Sequence, residues 1–339
     1  MRIAIVTDAW EPQVNGVVRT LQMVRGELER AGHDVLVLSP NAWPSLPCPG
    51  YGEIRLALAT TGQVGRRLRA FGADAIHIAT EGPLGLAARR WCLRAGFPFT
   101  TAYHTHFPDY VSARTGLPAA WFWQYERWFH GPAASVLAAT PSLRRQLAAQ
   151  GIGPTAPFGR GVDLANFSAD SAPHAAYAAL PRPIQLYVGR VAVEKNIEAF
   201  LATHHPGTRV VVGDGPARKA LERQFPDVIF LGALRGAALA SAYAGADVFV
   251  FPSRTDTFGM VLIEALASGV PVAAYPVQGP IDIVTPETGC LDEDLDAAIT
   301  GALGKDRATC AAYGCSFSWE RAAAEFCGAL VPLNPLIAA

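Results

Sequence analysis

Asp256 and Glu264 are the two carboxylates around which chemistry can be built in this chain. They bracket a stretch, Ser253-Arg-Thr-Asp-Thr-Phe-Gly-Met-Val-Leu-Ile-Glu-Ala-Leu-Ala-Ser-Gly269, that reads as loop and then helix. The apolar run from Asp247 to Phe251 before it has the length and Val/Phe content of a buried strand. Gly259 at the helix start lets a ligand approach backbone N–H groups where the helix dipole favours an anion, and Gly269 is placed to stop the helix. At about 1.5 Å rise per residue, Glu264 lies roughly 7 Å beyond that start. The spacing suits a phosphate-containing ligand with a carboxylate at each end. The alternative is an ordinary strand-to-helix connection with a surface Asp and a solvated Glu.

Arg190 and Lys195 follow another strand-like run, in Gly189-Arg-Val-Ala-Val-Glu-Lys-Asn196. Two cations at a strand's carboxyl end suit a diphosphate; a surface ion pair of Glu194 is the plainer alternative. Lysine occurs only at 195, 219 and 305 against 25 arginines, a bias that reflects codon usage in a GC-rich organism and would let a lysine mark a site where a compact ammonium is preferred to a guanidinium. His104 stands at the end of a strand expected over Pro98 to Tyr103, where a sheet-built site places a polar group. Reading His104-x-His106 as a metal site lacks a third ligand at a recognisable spacing. Asn15-Gly16 opens the first helix without a G-x-G-x-x-G, which argues against a nicotinamide cofactor.

The elements that must position these residues come in two sets. Strands are expected at Ile3–Thr7, Asp34–Leu38, Ala75–Ile78, Pro98–Tyr103 and Ala134–Ala139. A polar, Ala/Pro-rich linker from Ser168 to Pro183 leads to a second set at Ile184–Val188, Arg209–Val212, Val228–Leu231, Val248–Phe251 and Val270–Ala274. The expectation is an α/β fold of two doubly wound, Rossmann-like domains facing a central cleft. They are residues 1–170 and 180–317, with a helix over 318–331 that begins near Ser316-Phe-Ser-Trp319 and returns to the first. Asp292-Glu-Asp294 spells D-x-D but stands where it would cap a helix.

A net charge of −1 gives no electrostatic case for nucleic acid. Six cysteines show no C-x-x-C spacing, as in a reduced, cytoplasmic chain. The start, Met-Arg-Ile-Ala-Ile-Val6, reads as a strand rather than a signal peptide, and no apolar run reaches the roughly 18 residues of a spanning helix. Two surfaces suit a peripheral place on the inner face of a membrane: Arg66-Arg67-x-Arg69 and the aromatic helix Trp121-Phe-Trp-Gln-Tyr-Glu-Arg-Trp-Phe129. Packing of that helix onto the sheet, and a solvated helix face for the three arginines, are the alternatives.

Taken together, Asn15-Gly16-Val17, His104, Gly161-Val162-Asp163, Gly189-Arg190 with Glu194-Lys195, Gly213-x-Gly-Pro216, Asp256-Thr-Phe-Gly through Glu264-Ala, and Gly269-Val-Pro-Val272 resemble the retaining glycosyltransferases of the GT-B fold. That is the large family of bacterial mannosyltransferases and lipid glycosyltransferases, glycosyltransferase family 4-like. The resemblance implies that Arg190 and Lys195 neutralise the donor diphosphate and that Glu264 holds the ribose. Phe258, Gly259, Met260 and Val261 would form the donor-phosphate loop, approached by Gly16, with Leu234 at the base. His104 and Asp256 would be the catalytic residues at the transferred sugar. It implies a hexose moved from GDP-mannose or a UDP-hexose, without metal or cofactor, to a membrane lipid such as diacylglycerol at an anionic surface. A soluble or polysaccharide acceptor, a glycoside hydrolase using Asp256 and Glu264 as its acid pair, and an inactive sugar-nucleotide-binding protein are the alternatives. The departure is at 256, where Asp replaces the first Glu of the family's E-x7-E and shortens its reach by a methylene.

Overall fold

The computed structural model describes residues 1–13, 15–48, 51–104, 118–256 and 258–333, with backbone alone at 51–54. It divides into two compact units, Met1–Gly159 with Trp319–Ala339, and Arg160–Ser318. Each is a six-stranded sheet in which every strand pair is parallel, which requires helical crossovers and buries both faces.

In the first unit the sheet order is β2-β1-β5-β6-β7-β8. Its strands are β1 (Arg2–Val6), β2 (Asp34–Leu38), β5 (Ala75–Ile78), β6 (Thr100–Tyr103), β7 (Ser135–Ala138) and β8 (Thr155–Pro157), while β3 (Ser45–Cys48) and β4 (Tyr51–Ala57) form a separate hairpin. Its helices are α1 (Gly16–Arg30), α2 (Thr61–Phe71), α3 (Pro83–Ala95), α4 (Ala119–His130), α5 (Pro141–Ala149) and the late helix α13 (Trp319–Ala329). α13 returns to this unit because Phe326 is fully buried, 4.7 Å from the His77 ring and 5.3 Å from the Phe158 ring. Glu325 Oε2 also accepts from the Gly159 N–H at 2.8 Å.

The second unit has the order β11-β10-β9-β12-β13-β14. Its strands are β9 (Ile184–Val188), β10 (Thr208–Val212), β11 (Ile229–Gly232), β12 (Val248–Phe251), β13 (Val272–Ala274) and β14 (Gly289–Leu291). The helices are α6 (Ile197–Leu201), α7 (Arg218–Gln224), α8 (Gly236–Ala244), α9 (Met260–Ala267), α10 (Pro280–Ile283), α11 (Leu295–Leu303) and α12 (Arg307–Gly314). Every residue of β9 and of β12 is buried, as the unbroken apolar runs require.

The hairpin and the edge strands β8 and β14 are additions to the sequence reading. They are short and carry Pro47, Pro157 and Gly289 instead of a long apolar run, so periodicity does not reveal them. The segment read as a linker also packs: Tyr177 is buried, and the His174 N–H donates to Ser241 O at 2.9 Å. Residues 160–183 therefore belong to the second unit rather than lying between the two.

Asp8, just past β1, is a buried carboxylate at the carboxyl end of the first sheet. Its Oδ1 accepts from Leu84 N–H at 2.9 Å, and its Oδ2 from Thr80 Oγ1 at 2.9 Å and Gly85 N–H at 3.3 Å. It thereby caps α3, whose own N-cap residue Gly82 has no side chain to offer. Burial raises its pKa, opposed by those hydrogen bonds. Asp8→Ala is expected to lower the unfolding free energy by about 1–3 kcal/mol in a urea titration; an unchanged midpoint would show that the cap carries no stability.

Candidate functional site

β9 and β12 pair only through Val248 with Gln185 and Phe249 with Leu186, so the crevice between them opens before either strand ends. The strand order reverses here, at the place where doubly wound sheets take ligands beyond their carboxyl ends. The loops leaving the two strands are tied by side chains. Asn196 holds the left-handed conformation at φ 52° and its Nδ2–H donates to Pro252 O at 3.1 Å. Thr255 Oγ1 donates to Glu194 O at 3.4 Å, and Lys195 Nζ donates to Asp256 Oδ1 at 2.6 Å.

The last contact changes the reading of both residues. Lys195 and Asp256, taken from the sequence as a diphosphate cation and a separate sugar-facing carboxylate, form one half-exposed ion pair. Asp256 Oδ2 is buried and has no hydrogen-bond partner among the described residues. Arg190 is exposed, while its carbonyl accepts from Tyr187 Oη at 3.0 Å. Burial, then the charges of Asp256 and Glu194, push the Tyr187 phenol upward, so it stays a donor.

Close backbone packing sets this edge. A Cβ on Gly213, where φ is +143°, would lie 1.8 Å from Gly189 O, and one on Gly215 would lie 2.3 Å from Val191 O. Gly259 enters α9 with φ 82°, and as the N-cap residue it offers no side chain to the first N–H groups of the helix. Phe258 beside it is buried, and Met260 and Val261 are half-buried. The Arg160 guanidinium lies 6.0 Å from the centre of the Phe258 ring, a cation at the helix start that the sequence reading did not single out. Glu264 is buried and its Oε2 accepts from Tyr243 Oη at 3.1 Å, so this carboxylate is also part of the core. Leu234, half-buried, follows β11, and Asp294 caps α11 by accepting from Asp296 N–H.

In the first unit, Gly16 is exposed and a Cβ there would meet nothing within 4 Å among the described residues. Asn15 Oδ1 caps α1 by accepting from Val17 N–H and Val18 N–H, both at 3.0 Å. His104 is half-buried, edge-on to Phe158 at 6.1 Å. His106 and Thr257 lie outside the described residues.

One cluster escaped the sequence reading. His130 is fully buried at the end of α4, with Nδ1 2.8 Å from Thr101 Oγ1, and Nε2 3.1 Å from Glu126 Oε2 and 3.5 Å from Glu81 Oε1. Burial alone would depress this imidazole, but the two carboxylates raise its pKa to about 9. The available signal was Glu126-x3-His130, the i, i+4 spacing that puts both on one helix face.

Comparison with known proteins follows this geometry. Residues 14–166 match the family described as Glycosyltransferase Family 4, and residues 182–304 match Glycosyl transferases group 1. The chain is 35% identical to a GDP-mannose-dependent alpha-mannosyltransferase of Mycolicibacterium smegmatis, over 91% of this chain and 90% of that protein. It is 28% identical to the alpha-monoglucosyldiacylglycerol synthase of Streptococcus pneumoniae, over 81% of this chain and 71% of the relative. Among solved structures, sucrose-phosphate synthase from Thermosynechococcus elongatus has the same fold, with a TM-score of 0.75 and 24% identity over 96% of this chain and 97% of that one.

The loop tie can be tested without substrate. Asn196→Gly should cost about 1 kcal/mol for the lost hydrogen bond, and Asn196→Ala about 1 kcal/mol more, since alanine must hold a left-handed backbone. Equal costs in chemical denaturation would show that the backbone conformation at 196 carries no strain.

Proposed function

The chain belongs to the Family 4 glycosyltransferases, and on that premise we propose that it transfers mannose from GDP-mannose, with retention, to a lipid acceptor of the diacylglycerol type. It is a hexosyltransferase with two Rossmann-like units of the GT-B fold. The observation that carries the finer reading is the junction of Lys195, Asp256 and the start of α9 at the switch point of the second sheet.

Transfer from a nucleotide sugar develops negative charge on the leaving diphosphate and positive charge on an oxocarbenium-like sugar. Arg190, Lys195 and the N–H groups from Gly259 to Val261 are the groups we assign to the first, making a metal unnecessary at the phosphates. Asp256 takes a divided role in this reading: Oδ1 steadies Lys195 and the unpartnered Oδ2 accepts from a sugar hydroxyl. That division accommodates the shorter side chain, because the aspartate is anchored by the lysine it faces. Glu264 holds the ribose from a fixed position on Tyr243, and Leu234 meets the base.

The lipid acceptor is favoured by the face that α4 leaves uncovered. Trp123 and Phe129 are buried in the core, while Trp121 is 61% and Trp128 48% exposed, with Arg127 exposed between them. Arg66, Arg67 and Arg69 are exposed on α2, with Arg67 over the Trp43 ring and Arg69 over the Trp91 ring. No helix of the described residues is long and apolar enough to cross a membrane.

Arg190→Ala and Lys195→Ala are each expected to lower kcat/KM with GDP-mannose by roughly 100-fold or more in folded protein. Asp256→Asn should lose transfer comparably while GDP binds as tightly or tighter, because Lys195 is released to the phosphates. Near-parental rates in both cation variants would remove the mechanism, and a weaker GDP affinity in Asp256→Asn would reverse the role of the aspartate. Faster turnover of UDP-glucose than of GDP-mannose would overturn the donor.

Membrane contact has its own readout. Cosedimentation with anionic vesicles should be strong at low salt and fall as the Debye length shrinks toward about 8 Å at 0.15 M. It should drop when Arg66, Arg67 and Arg69 become Glu or Trp121 becomes Ala. No cosedimentation at low salt would favour a soluble acceptor.

A further inference from the structure

We propose that His130, Glu126 and Glu81 form a binding site for a divalent first-row cation, zinc by donor chemistry, in the first unit. Among the described residues these are the one group whose potential ligand atoms all lie within 4.8 Å of one another. Bonds of about 2.0–2.2 Å in a tetrahedral arrangement separate ligand atoms by roughly 3.4 Å. The distances from His130 Nε2, 3.1 Å to Glu126 Oε2 and 3.5 Å to Glu81 Oε1, bracket that value.

Three further observations point to a cation. The ring is held from behind by Thr101 Oγ1 at Nδ1, the outer hydrogen bond that orients a metal-binding histidine with Nε2 forward. Glu126 is fully buried, yet its Oε1 has no hydrogen-bond partner among the described residues, an unusual state for a carboxylate oxygen beside a polar cluster. No Lys or Arg pairs with Glu81 or Glu126 among the described residues. The neighbouring Arg89 is committed to the carbonyls of Trp128 and Phe129 at 2.5 and 2.9 Å. A dication on a neutral ring balances two carboxylates, the form in which these three residues would hold a metal.

The position also provides access. Glu81 follows β5, beside the point where the strand order of the first sheet reverses, and its side chain is 28% exposed. The carbonyl of Glu81 accepts from Tyr125 Oη at 2.7 Å, which fixes the loop against α4. Three protein ligands leave the fourth position of a tetrahedral ion to water.

The test uses the untagged full chain, treated with EDTA, dialysed and titrated with Co²⁺ as a coloured stand-in for Zn²⁺. One equivalent should bring up the visible absorption of tetrahedral Co²⁺, and Zn²⁺ should abolish it and raise the thermal midpoint. Glu81→Gln, at a part-exposed position that leaves the fold intact by circular dichroism, should bind at least tenfold more weakly. Cys327→Ser should bind as the parent does, which separates this site from the Cys327–His33 contact at 3.7 Å. Absence of the band and of any Zn²⁺ stabilisation, or Glu81→Gln binding as tightly as the parent, would overturn the site and leave an ion-pair cluster.

Discussion

The short pairing of β9 with β12 is the constraint on which the crevice of the second sheet depends. Hydrogen bonds join the strands at only two registers, and beyond them the backbone offers nothing to hold the diverging loops. Side chains take over: an amide on a carbonyl, a hydroxyl on a carbonyl and an ammonium on a carboxylate, all between residues 194–196 and 252–256. Each is worth about 1 kcal/mol, little against the buried strands beneath. Their effect is positional. They bring a cation, a carboxylate and a helix start to one edge, with the residues free to meet a ligand kept partly exposed.

The two sheets treat their switch points differently. In the first unit the opening next to β1 is filled by the carboxylate of Asp8, committed to capping α3 and bonded to Thr80 from the neighbouring strand end. In the second unit the same topological place holds Gly189, Arg190 and the start of α9, whose N-cap residue is a glycine with no carboxylate to offer. The contrast follows from one residue type after each first strand, an aspartate in one and a glycine–arginine pair in the other.

Asp256 shows how a shorter carboxylate can be accommodated. With its ammonium partner at 2.6 Å it is fixed by charge as well as by backbone, and the carbonyls of Asp256 and Phe258 lie against Gly279, where a Cβ would stand 3.1 Å from each. Exposure of the pair limits its contribution to stability, since water screens it. Its value is in orienting Oδ2, and that is a geometric effect rather than an energetic one.

By itself the sequence determined the α/β class and the buried strands. Unbroken apolar runs such as Ile184–Val188 and Val248–Phe251 have one stable use, in a parallel sheet covered on both faces, and glycine at 259 signals a backbone that other residues resist. Tertiary structure alone decided the partnerships. Lys195 and Asp256 are 61 residues apart, Glu81 and His130 come from different elements, and Tyr243 reaches Glu264 from another helix. Periodicity reports which face of an element is buried but carries no information on which elements become neighbours. Short edge strands with Pro or Gly escape it for the complementary reason, because neighbours rather than their own side chains hold them in place.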